Sequence, residues 1–367
     1  MYLLALLKDK DGVFMISSKT KEILNDGRLI EHRDMWFKRM QNLYDAKHDE
    51  FFDKHVLTVD GVRGGPKEPN RIYENPELWV EECLEDLAGK IEEIYKECIF
   101  APPCIESDIY GVHFIDSIFG CEIFYQDEQW YNRYLTSSVG ELKKPELDKC
   151  EAWQIAKRAA TEFVRQGVSL PLYGLPTIAS ALNIAVNLYG QEILVAMLAE
   201  PEDAAHDLKI INDTLCEIHR WYRALLPADQ LHTVIAWERT QPPGYGQICG
   251  CTTQLVSGEV YAEMVAPLDD ALLSVYPKGG MIHLCGAHEH IIPTLRDMPH
   301  LKSVQLNDRA AVDLELHYTN LRDDQLIYLI PFENMTVKQA MEITGGKRLV
   351  FQGSERQPAA GCGCGCS

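Results

Sequence analysis

The alternation of apolar and polar positions changes character near residue 106. Before it, apolar residues recur mostly at helical spacing or without a regular period. The clearest helix follows Asn75-Pro76-Glu77, in the run LWVEECLEDLAGKIEEIYKE. A proline in the first turn and a period near that of a helix predict a helix from about 76 to 97. A loop with Pro102-Pro103 follows. Beyond it, β-rich runs appear at Tyr110–Ile115, Ser169–Tyr173, Thr233–Trp237, Gln247–Cys251, Gly280–Leu284, Ser303–Asn307, Leu326–Ile330 and Arg348–Gln352. Helical patterns occupy about 151–166, 191–225, 258–275, 288–297 and 335–343. The short link Glu238–Gly246, with Pro242-Pro243-Gly244, carries no helix.

Eight runs alternating with helices predict a closed (β/α)8 TIM-type barrel; a doubly wound open sheet is the alternative. The expected organisation is a helical extension over 1–105 packed on a barrel over 106–353, then a Cys-rich tail over 354–367. Reactive groups of such a barrel gather at the C-terminal ends of its strands. That rule places Asp116, Glu238, Cys251, His283, Cys285, Asn307 and Asp308 around one mouth.

The sharpest chemical signal is GGMIHLCGAHEH, residues 279–290. Residues two apart on a strand face the same side, so His283 and Cys285 can aim at one ion, with Gly286 allowing a sharp exit. An imidazole with a thiolate suits Zn2+. The bland alternative is a core histidine beside a buried thiol. His288 and His290 read as a solvated turn or as support for the ligands. Further sulfur comes from the tail, where glycines separate Cys362, Cys364 and Cys366. Exposed thiols oxidise, so a frayed, inert tail is a poor use of three cysteines. Cys249-Gly250-Cys251 is either core packing or part of the same site, and Glu238 is the carboxylate candidate for a further ligand. Asp116 closes an apolar run and either serves the mouth or caps a helical turn.

Composition narrows the partners. With 35 Lys+Arg against 55 Asp+Glu the net charge is −20, and no basic cluster is longer than Lys143–Lys144. Such a chain repels a polyanion, so a general nucleic-acid binder is not expected. The apolar run Tyr2–Leu7 is broken by Lys8, Asp9 and Lys10, too soon for a membrane span or a secretory signal. Twelve cysteines scattered through a long chain without such a signal suggest thiols or metal ligands in the cytoplasm.

In order along the chain, HFIDSIFG with Asp116, Leu172-Tyr173-Gly174-Leu175-Pro176-Thr177, Val256-Ser257-Gly258-Glu259 through Pro267, His283-Leu284-Cys285-Gly286, Asn307-Asp308 and Gln352-Gly353 resemble the motifs of the uroporphyrinogen decarboxylase superfamily. The resemblance covers roughly 105–353 and implies a (β/α)8 barrel. The decarboxylase itself fits poorly, because its arginine-rich N-terminal motif is absent. The chain is closer to the branch of zinc-dependent methyltransferases, which move methyl groups between small substrates, thiols and a corrinoid protein. In that branch a His-x-Cys pair and a distant Cys hold zinc. Here His283 and Cys285 match the pair, and Gly361-Cys362-Gly363 resembles the distant element, with Cys364 close behind.

The resemblance thus implies Zn2+ on His283, Cys285 and Cys362 or Cys364, and a partner protein carrying cobalamin. Asp116 would orient substrate or the cobalamin edge, with Glu238 the second acid of the mouth. No Asp-x-His-x-x-Gly corrinoid motif lies in the chain itself. By analogy with the family, which is often dimeric, the resemblance also allows a homodimer. A porphyrinogen decarboxylase and a non-catalytic metal-binding protein that works through its CGCGC tail are the two rival readings.

Overall fold

The computed structural model describes residues 7–8, 14–96, 98–232 and 239–353. Asn75 accepts a hydrogen bond from the Leu78 N–H at 3.0 Å and Pro76 takes the first helical position, so a helix starts where the sequence places it. It ends earlier than expected, at Gly89, and a 3-10 turn over Ile91–Ile94 follows. Helix Glu151–Gln166 matches its prediction and stops at Gly167, whose φ of 62° suits a residue without a Cβ. The stretch expected as one helix over 191–225 is two, Glu192–Ala199 and Pro201–Leu225. Pro201 disfavours helical geometry at Glu200, and the chain breaks there.

Two parallel sheets form the centre. One runs, in hydrogen-bonding order, Gly246–Cys249, Gly280–Cys285, Leu301–Asn307, Leu326–Leu329, Leu349–Gln352, Leu57–Val59, Ile99–Phe100. The other runs Leu231–His232, Leu172–Gly174, Pro103–Glu106, Val62–Arg63. The same two chain segments serve both sheets. Between their ladders, Asp60 N–H donates to Phe100 O at 2.8 Å and Val62 N–H to Pro102 O at 3.0 Å, which makes the array continuous. This is a mixed α/β fold with a mostly parallel sheet and the strand order of a TIM-like array. Among the described residues no pairing joins Leu231–His232 to Gly246–Cys249, and the sheet is not closed. The expected run Thr233–Trp237 lies outside the described residues.

One expected strand is absent. Tyr110–Ile115 forms a 3-10 turn, Gly111–His113, that leads into helix Phe114–Ile118. Tyr110 and Gly111 both have φ of 56°, which turns the chain out of an extended path. Conversely, Leu57–Val59, Ile99–Phe100 and Pro103–Glu106 are strands in a region read as helical. Each is so short that its pairing with distant neighbours, not its own pattern, makes it a strand.

The two faces of the array bury different material. Leu57, Val59, Phe100, Cys104, Leu172, Met281, Tyr328 and Val350 pack against Trp36, Phe37, Met40 and Tyr44 of helix Gly27–Tyr44. The alternate residues, such as Ile105, Ile282, Leu284, Val304, Leu306, Ile327 and Leu329, belong to the core beneath the surrounding helices. The first set marks the inner face. The period-two rule then puts His283 and Cys285 on the inner face with Met281, toward the C-terminal end of their strand. Among the described residues no single helix is long and apolar enough to cross a membrane.

Candidate metal centre

Parallel register assembles the centre. Cys249 lies opposite His283, His283 opposite Gln305, and Cys285 opposite Asn307. Neighbouring strands are about 4.8 Å apart, so side chains that share a face and a level can reach one another. Ligand atoms of Cys249, Cys251 and His283 all lie within 4.8 Å of one another, and all three residues are buried. The Cys251 sulfur is 3.4 Å from that of Cys249 and 2.7 Å from that of Cys285. Cys249, Cys251 and His283 thus form one group at the C-terminal ends of two adjacent strands, and Cys285 adjoins it through the Cys251 sulfur. These are soft and borderline donors in a place shielded from water, which fits a zinc-like ion better than a hard cation that prefers oxygen.

The surroundings hold these groups in place. Gln305 Oε1 bonds His283 Nδ1, and Gln305 Nε2 donates to the Leu306 carbonyl at 3.2 Å. The second bond fixes which way the amide points. The oxygen therefore faces the ring, the proton sits on Nδ1, and Nε2 carries the lone pair that a metal takes. Asn183, on helix Ala181–Tyr189, donates to the Cys249 sulfur at 3.5 Å and accepts from the Thr252 N–H at 3.2 Å. His288 is fully buried rather than solvated, and its Nε2 donates to the Cys285 carbonyl at 2.7 Å. Its Nδ1 lies 3.0 Å from the Thr253 hydroxyl. The ring therefore ties the segment after Cys251 to the exit from Cys285. Burial pushes its pKa down to about 4, so it is neutral at pH 7 and can serve as donor at one nitrogen and acceptor at the other. Gly286 has φ of 95°, the sharp exit expected after Cys285.

No family model matches the chain, and no curated protein does. A solved structure does. It is a methyltransferase from Methanosarcina mazei, with a TM-score of 0.56 and 13% identity over 86% of this chain and 91% of that one. At that identity the likeness is one of fold.

The structure sets His283 and Cys285 on one face of a strand, but the group it gathers is His283 with Cys249 and Cys251, which the sequence left between packing and ligation, and Cys285 reaches that group through the Cys251 sulfur. Gln305 and Asn183 had no signal of their own in the sequence; only the strand register and the helix behind it place them. Glu238, Cys362 and Cys364 lie outside the described residues. Asn307 is buried beside Cys285 in the next strand.

Asp116 does not end a strand; it sits in the first turn of helix Phe114–Ile118. It caps nothing with its side chain there. Its Oδ2 lies 2.6 Å from His113 Nδ1 and accepts from Asn187 Nδ2 at 3.0 Å, while Oδ1 has no hydrogen-bond partner. Burial raises its pKa, against the pull of His113 and Asn187. Asn187 and Asn183 stand one turn apart on the same helix, so a single helix face touches both Asp116 and Cys249.

Gln305→Ala is expected to weaken zinc binding by about 10–100-fold while leaving the ligands in place, since such supporting bonds orient the imidazole. Competition with a chromophoric chelator reads the affinity. An unchanged affinity would mean that His283 does not bind metal through Nε2.

Proposed function

We propose that this chain is a zinc-dependent methyltransferase of the uroporphyrinogen decarboxylase superfamily. It moves a methyl group between a small substrate or thiol and a corrinoid protein in the cytoplasm. The observation that carries the reading is the buried group of His283, Cys249 and Cys251, with the Cys285 sulfur against that of Cys251, at the C-terminal ends of parallel strands. The likeness of fold to a protein named as a methyltransferase supports it. Closure of the barrel belongs to the same proposal.

Zinc would be held by His283 and Cys285 with sulfur from Cys251, Cys249 or the tail cysteines Cys362 and Cys364. When bound, it supplies Lewis acidity that lets a thiol ionise at neutral pH. The chain's own groups prepare the place. Gln305 keeps the proton on His283 Nδ1. Asn183 and His288 brace the cysteine-bearing segments. Burial keeps water from competing for the donors. Asp116, held by His113 and Asn187, acts as a positioning group behind the mouth. Glu238 is the second acid in this reading.

The test mixes zinc-loaded protein with methylcobalamin and a small thiol and follows the cobalamin spectrum. Demethylation that needs zinc is the expected result. Release of CO2 from a porphyrinogen by a protein without stoichiometric zinc would replace this reading with the lyase. A chain lacking residues 361–367 should keep some zinc through the buried cluster. Complete loss would favour a metal-binding protein that works through its tail.

A further inference from the structure

A cavity of about 580 Å³ lies where the chain leaves the strands Val62–Arg63 and Pro103–Glu106. Arg63 and Glu106 line it with Asp108, and the rings of Tyr73, Tyr125 and Trp130 form its walls. Both Tyr125 and Trp130 come from the hairpin Ile123–Gln126 and Gln129–Asn132. The register sets Tyr125 directly opposite Trp130, so both rings leave the hairpin on one side, with centroids 4.9 Å apart. At the turn, Asp127 and Glu128 have φ of 48° and 63°, the left-handed pair that a tight two-residue hairpin turn requires.

Trp130 is also wedged against Tyr73, with centroids 5.7 Å apart. The Tyr73 oxygen accepts from the Tyr110 N–H at 2.8 Å, which fixes that ring. The walls are therefore preorganised. Tyr125 is 60% exposed, so one side of the box faces the opening.

Charge selects the occupant. Arg63 lies 3.8 Å from Glu106, so its charge is matched within the lining. Asp108 adds a second carboxylate, and among the described residues no basic side chain pairs with it. Among the described residues the lining carries one more negative charge than positive. Electron-rich rings beside a surplus carboxylate attract a large, weakly hydrated cation, and Glu106 already opposes the Arg63 guanidinium that an anion would need. Lysine-like ammonium is well hydrated and gains less than a methylated one, whose methyl groups bury against the rings.

We propose that this cavity binds a methylated ammonium group, the cationic end of a choline-like or methylamine-like molecule. The proposal concerns binding only and does not depend on the methyl-transfer reading. The test is isothermal titration of the intact protein with choline, with tetramethylammonium, and with 3,3-dimethyl-1-butanol, the uncharged counterpart of choline. Both cations should bind saturably, and the uncharged alcohol about tenfold or more weakly. Trp130→Leu keeps apolar volume but removes the ring face and should weaken choline about tenfold. Asp108 is exposed, so Asp108→Asn leaves the fold intact and should weaken choline several-fold, most clearly at low salt. Equal affinity for choline and the alcohol would overturn the proposal. So would no binding of either cation at millimolar concentration, tighter binding of acetate than of choline, or an Asp108→Asn protein that binds choline as well as the parent.

Discussion

Replacing His283 and Cys285 together by alanine is expected to lower bound zinc from about one ion per chain to below about a tenth, after dialysis against a weak chelator. Both residues lie on the inner face of one strand, and Cys285 places its sulfur 2.7 Å from that of Cys251. Removing them takes away the one imidazole and one of the three sulfurs. Two cysteines alone, Cys249 and Cys251, make a poor site for an ion that wants four ligands. The substitutions leave space in a packed interior, and circular dichroism with a melting curve must show the protein folded. Metal analysis then gives the answer. Unchanged zinc in the folded double variant would place the ion elsewhere. Cys249→Ser with Cys251→Ser serves as the partner experiment. Those sulfurs stand within reach of His283 in the same cluster, so this pair should also lose most of its zinc. Retention there, with loss in the first variant, would leave the remaining sulfur to the tail.

The sequence held the strands around the centre in plain view and hid the rest for definite reasons. Leu326–Leu329 and Leu349–Gln352 are runs of buried, largely aliphatic and aromatic residues, while Gly280–Cys285 and Leu301–Asn307 are mostly buried runs that set aliphatic residues among other types, and each is visible in the sequence pattern. Leu57–Val59 has three residues and becomes a strand only because Leu349–Gln352 and Ile99–Phe100 flank it. Tyr110–Ile115 shows the converse. Its composition suits a strand, yet two consecutive left-handed residues turn it into a helix. At the site, His283 and Cys285 could be set on one face from spacing because both lie on one strand. Cys249 and Gln305 could not, because their nearness to His283 follows from the register of separate parallel strands. Asn183 acts from a helix some sixty residues before Cys249, which no local pattern reports.

Asp116→Asn should lower turnover about tenfold or more without loosening the fold, and its pH profile is the decisive reading. The side chain is fully buried, holds His113 at 2.6 Å and Asn187 at 3.0 Å, and leaves one oxygen without a partner. Asparagine keeps an oxygen that can accept from one neighbour and removes the buried charge. The sign of the stability effect follows from the raised pKa. A carboxyl group whose folded pKa lies above its unfolded 3.8 contributes stability at low pH that is lost as pH rises through the folded value. The ionised form is thus a cost, which asparagine relieves, so the melting temperature should hold or rise. Asp116→Ala instead strands His113 and Asn187 and should cost about 1–3 kcal/mol. If the anion is what positions the reacting groups, wild-type turnover falls as pH drops toward the raised pKa. The Asp116→Asn protein already lacks that charge, so its turnover should be flat over the same acid limb, with its zinc content unchanged. A variant that melts well below the parent yet turns over normally per folded molecule would show that Asp116 serves the packing of helix Phe114–Ile118 and not the chemistry.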